Sequence, residues 1–177
     1  MVNKLEVLVV DDSPNQQEAA RRQFSTEEAR EKYNLTIASD YLTAESIMMR
    51  NHFDCLLTDL HIPFGKNENG DSYPLNEEKA RIPEPIGYAL ALTGLALGVG
   101  AIAIVSMENH HSGAGAATYE RLGFIKPKDG GFGKITDNLY IGRKNEYPSH
   151  PRDKDWLGIL QFILSDKQLG GQNGKWI

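Results

Sequence analysis

Four short apolar runs, each closing on a polar residue, limit what this chain can fold into more than any other feature. Residues 7–10 (VLVV) close on Asp11 and Asp12, and residues 55–58 (CLLT) close on Asp59. Residues 101–105 (AIAIV) close on Ser106, and the short run 123–125 (GFI) closes on Lys126 and Pro127. Runs of this length, rich in branched aliphatic residues, read as strands buried on both faces, which is how parallel strands read. Between them lie segments with apolar residues at helical spacing. Alternating strand and helix implies α/β architecture, a parallel sheet with helices on both of its faces. Open sheets of that kind hold ligands at the carboxyl edge of their strands. The polar residues that end the runs are therefore expected to converge there.

The remaining elements follow from local pattern. Ser13-Pro14 marks a helix start, and Ala19, Ala20 and Phe24 supply a modest apolar face. Residues 35–38 read as a second strand and 43–49 as a second helix, with Ala44, Ile47 and Met48 at helical spacing. Residues 86–98 read as a buried helix, 113–122 as a short helix stopped at Gly123, and 124–125 as the fifth strand. Leu139-Tyr140-Ile141 reads as a small extra strand. Trp156, Leu157, Ile159, Leu160, Ile163 and Leu164 form the apolar set of a closing amphipathic helix. Two polar excursions, at about 64–85 and 128–153, interrupt the pattern as insertions in a single domain spanning 1–177.

Composition narrows the function. The 177 residues carry a formal net charge of −5 and no basic stripe, so no nucleic-acid partner is expected, and no separate DNA-binding output domain. One cysteine, Cys55, excludes an internal disulfide and fits a reducing compartment, so a cytoplasmic location is expected. No charge interrupts Ile86 to Met107, a stretch long enough to span a bilayer, but Gly94, Gly98 and Gly100 divide it. A buried helix running into a buried strand accounts for both halves, so no membrane partner is expected.

Three carboxylates gather only where something offsets their repulsion. Two such anions ~5 Å apart repel by roughly 3 kcal/mol at an effective dielectric of about 20. A divalent cation removes that cost, and hard oxygen ligands suit Mg²⁺. Ser106 adds a hydroxyl donor and Lys126 a compact positive charge. In type, order and separation, VLVVDDS (7–13), FDCLLTDLHIP (53–63), AIAIVS (101–106) and FIKP (124–127) resemble the receiver domain of two-component response regulators.

That resemblance implies a doubly wound five-stranded parallel sheet in the flavodoxin-like order 2-1-3-4-5. It implies that Asp11, Asp12, Asp59 and the carbonyl of His61 hold Mg²⁺. Asp59 would be the nucleophile that accepts a phosphoryl group, assisted by Ser106 and Lys126. The partners implied are a histidine kinase or phosphotransfer protein and an output protein that the sequence does not identify.

Three departures from the family's pattern stand out. Met107 follows Ser106, where receivers usually carry a small residue, and would crowd the approach to Asp59. Gly123 stands where the family often places its switching aromatic, with Phe124 beside it. The helix at 113–122 is short. Met107 and Gly123 favour an alternative, a receiver fold that no longer cycles phosphate and acts as an interaction scaffold through its two insertions. A further alternative is a phosphohydrolase resembling the haloacid dehalogenases. That family places an Asp-x-Asp arrangement on its first strand, which Asp11-Asp12-Ser13 does not supply.

Overall fold

The computed structural model describes residues 3–65, 85–106, 132–143, 146–147 and 150–171. Alternating βα segments leave each strand with two apolar faces to bury, and the sheet buries both. Strand β1 (Leu5–Val10) is followed by helices α1 (Pro14–Phe24) and α2 (Glu27–Lys32), then β2 (Tyr33–Ala38) and α3 (Tyr41–Arg50). Next come β3 (Cys55–Asp59), α4 (Gly87–Ala96) and β4 (Ala101–Ser106). The chain closes with β5 (Phe132–Lys134), β6 (Leu139–Arg143), the hairpin β7 (Glu146–Tyr147) and β8 (His150–Lys154), and α5 (Trp156–Gly171).

The main sheet has the order β2-β1-β3-β4-β6-β5. Its first five members pair in parallel, and β5 adds to β6 antiparallel. Counting the parallel strands along the chain, the order is 2-1-3-4-5, as expected. The fifth of them is β6, which pairs Ile102↔Leu139 through Ser106↔Arg143. Residues 139–141 are thus a full member of the sheet, not a small accessory strand. The run 124–125, to which the fifth strand was assigned, lies outside the described residues. Leu139, Tyr140 and Ile141 are all buried in their place beside β4.

Alternation along the strands sorts the core into two layers. Leu8, Val10, Leu56, Ile102, Ile104, Leu139 and Ile141 face α3 and α4, meeting Ala44, Met48, Leu90 and Ala91. Val7, Val9, Cys55, Leu57, Ala103, Val105 and Tyr140 face the opposite way, meeting Ala20 and Phe24 of α1 and Trp156, Ile159, Leu160 and Ile163 of α5. Tyr140 also donates a hydrogen bond from its hydroxyl to Asp166 on α5 at 2.8 Å, fastening the fifth parallel strand to the last helix.

The charged stretch after α1 carries a helix that apolar periodicity does not reveal. Thr26 caps α2, its hydroxyl oxygen accepting from the Ala29 amide, with Glu27 and Glu28 in the first turn and Lys32 in the last. The uncharged stretch 86–106 divides into α4 and β4, and no helix among the described residues is long and apolar enough to cross a membrane. Cys55 is a buried thiol inside β3.

Candidate functional site

The carboxyl ends of β1 and β3 bring Asp11, Asp12 and Asp59 together, each offering an oxygen, with all three oxygens within 4.8 Å of one another. The parallel register produces this. Val10 pairs with Thr58, so Asp11 and Asp59 leave their strands at the same level. Both continue the alternation of the residues facing α1 and α5. Asp11 is 1% exposed, whereas Asp12 and Asp59 are partly open to solvent.

A buried lysine completes the cluster. The Lys154 ammonium lies 2.6 Å from Oδ2 of Asp11 and 2.7 Å from Oδ1 of Asp59, and it is 1% exposed. It also stands 5.0 Å from the centroid of the Trp156 ring, within range of a cation–π attraction. Asp11 is anchored further by the Ser13 amide, which donates to Oδ1 at 2.9 Å.

Among the described residues, acidic groups outnumber basic ones at this cluster. Burial, aided by the neighbouring Asp59, pushes the Asp11 carboxyl above the ordinary carboxylate range, although Lys154 pulls it back. Burial and then the Asp11 charge raise Asp12 in the same direction. Among the described residues three carboxylates face one ammonium, so when ionised these four groups keep two negative charges in excess. Grouped hard oxygen donors with excess negative charge fit a divalent cation of the Mg²⁺ type.

Ser106 ends β4 one residue beyond Val105, the residue paired with Asp59, and is 8% exposed. It thus ends its strand one residue past the level of Asp59. His61 lies two residues past Asp59 in the loop that leaves β3. That loop is fixed on both sides: the Leu60 amide donates to the Val105 carbonyl at 3.1 Å, and the Gly87 amide donates to the Leu60 carbonyl at 3.0 Å.

Lys126, Met107 and Gly123 lie outside the described residues. The lysine observed against Asp59 is Lys154, which the sequence reading missed because FIKP offered a lysine-proline pair at the expected place in the order. A signal for Lys154 was present. It stands at the end of β8, two residues before Trp156, the first residue of the closing helix.

No protein-family model matches this chain, and no curated protein does. Solved structures do. The signal receiver domain of a protein described as a Luxo repressor from Vibrio parahaemolyticus is 11% identical, with a TM-score of 0.54 over 98% of this chain and 100% of that one. The signal receiver domain of the response regulator NarL from Mycobacterium tuberculosis is 15% identical, with a TM-score of 0.51 over 94% of this chain and 98% of that one. RcsB from Salmonella enterica serovar Typhimurium, bound to the rprA promoter, is 16% identical, with a TM-score of 0.51 over 93% of this chain and 62% of that one. The chain has the fold of response-regulator receiver domains. That RcsB is bound to DNA, so the likeness lends no support to an absence of nucleic-acid partners here.

Proposed function

We propose that this chain is a phosphoacceptor receiver that takes a phosphoryl group onto Asp59 from a histidine kinase or phosphotransfer protein in the cytoplasm. The observation that carries the reading is the contact of one buried lysine with two converging aspartates. An ammonium held against Asp59 before phosphorylation is placed to pair with a phosphate there afterwards. An Asp59 Oδ atom would attack phosphorus, forming a P–O bond as the P–N bond of a phosphohistidine breaks. The electron pair returns to the imidazole nitrogen. Hydrolysis would reverse the modification: water attacks phosphorus, the P–O bond to Asp59 breaks, and the carboxylate and inorganic phosphate are released.

Asp11, Asp12, Asp59 and the His61 carbonyl would hold Mg²⁺, which supplies charge neutralisation for the transferring phosphoryl oxygens. Ser106, in this reading, donates its hydroxyl to one of those oxygens. Lys126, expected in the lysine role, lies outside the described residues; the contact of Lys154 with Asp59 supports giving that role to Lys154. Output passes to a partner protein whose identity the fold does not specify.

Incubation with Mg²⁺ and a small acyl phosphodonor, followed by intact mass measurement, tests the proposal. One added phosphoryl group is expected on the wild type and none on Asp59→Asn. Failure of the folded wild type to gain mass at saturating Mg²⁺ favours the scaffold alternative. A gain that persists in Asp59→Asn assigns the wrong acceptor.

A further inference from the structure

Lys154 reaches the aspartates from the end of a hairpin that lies outside the main sheet, so its position requires a separate support. Helix α1 supplies one. Gln16 and Gln23, two turns apart on the same helix face, are 6% and 1% exposed, unusual burial for a pair of amides. Both side chains make hydrogen bonds to the backbone around the lysine. The Lys154 amide donates to Oε1 of Gln16 at 2.8 Å, and Nε2 of Gln23 donates to the Lys154 carbonyl at 2.8 Å. The Leu157 amide donates to Oε1 of Gln23 at 3.1 Å, and the Trp156 indole donates to the Gln16 carbonyl at 3.2 Å. On the rim, Arg22 pairs with Asp153.

Both polar groups of the Lys154 peptide backbone are therefore held by α1 side chains, and its ammonium by the site. From this geometry we infer that Gln16 and Gln23 are positioning residues, a clamp that sets the Lys154 ammonium between Asp11 and Asp59. The inference rests on the reading of Asp59 as phosphoacceptor and adds to it. The lysine's placement depends on α1, so a change in the site that moves Lys154 must strain or release the α1 contact.

The test uses the full chain and Mg²⁺ alone, read by Trp156 fluorescence in a Trp176→Phe background, which leaves a single tryptophan. An ammonium between the carboxylates competes with the cation, so Lys154→Met should tighten Mg²⁺ binding by on the order of tenfold. Gln16→Met and Gln23→Met, which keep side-chain length but lose the amide, should tighten it at least about twofold by loosening the ammonium. They should have no effect in a Lys154→Met background, because they act through that residue.

Folded glutamine variants with wild-type Mg²⁺ affinity overturn the inference, as do equal shifts with and without Lys154. If a methionine variant does not fold, Gln23→Glu decides the matter, since it replaces the donor to the Lys154 carbonyl with an oxygen that repels it and so also loosens the lysine. Phosphodonor labelling separates this inference from the functional reading. A wild type that never labels, with the Mg²⁺ pattern as expected, rejects the phosphoacceptor reading and leaves the clamp standing.

Discussion

Gly87 lies so close beneath Asp59 that a β-carbon on it would overlap the Asp59 carbonyl oxygen and come within 2.9 Å of the Leu60 Cα. The first residue of α4 thus presses on the backbone that carries the candidate acceptor. Both atoms in the way belong to main chain and cannot rotate aside. Gly87→Ala should therefore destabilise the protein by about 1–3 kcal/mol, the usual range for overpacking. A denaturant melt checks this. A Gly87→Ala protein of wild-type stability shows that α4 withdraws freely from the loop after Asp59.

Lys154→Met should produce a sharper loss. Removing one partner of a buried ion pair leaves an uncompensated charge and costs about 3–5 kcal/mol. Here the loss should fall at the lower end without metal, since Asp59 is partly open and Asp11 is already drawn toward its neutral form. Adding Mg²⁺ should recover part of the loss, because a cation then replaces the ammonium. Thermal melts with and without Mg²⁺ measure both effects, and a Mg²⁺-independent loss would mean that Lys154 contributes through packing on Trp156.

Much of this arrangement was legible in the sequence, for a physical reason. Asp11 and Asp59 are recognisable because they end uninterrupted apolar runs, and parallel pairing of those runs sets the two carboxylates side by side. Lys154 ends no apolar run, and its one mark is its place just before the closing helix. It ends β8, a polar strand of the hairpin, and only the fold carries it to Asp59. Gln16 and Gln23 were equally hidden, because their partners are backbone groups that no residue pattern encodes. Helix α2 escaped for a related reason: it rests on a Thr26 cap and charge placement, not on an apolar face.

Acidic crowding should also appear as a pH effect. The Asp11 and Asp12 carboxyls titrate above the ordinary carboxylate range in the folded chain. Between the ordinary and the raised values the folded state binds more protons than the unfolded one, so stability falls as pH rises. This contribution is fully present below the ordinary carboxylate pKa and is lost as pH rises through the raised one. Without divalent cation, melts should show wild type losing stability relative to Asp12→Asn across that window. Parallel curves for the two proteins would show that burial of Asp12 is relieved by other means.

Asp12→Ala separates metal binding from folding. Asp12 is partly exposed and pushed up by burial and by Asp11, so at neutral pH it is a source of repulsion in the metal-free cluster. Its removal should leave the metal-free chain at least as stable as wild type, the pattern expected where function and stability oppose each other. The same change removes one of three oxygen ligands from a site that already holds a competing ammonium. Mg²⁺ should then no longer raise the melting temperature, and Mg²⁺-dependent labelling of Asp59 should disappear. A folded Asp12→Ala protein that labels at the wild-type rate removes Asp12 from the metal shell and leaves Asp11 and Asp59 to hold the ion.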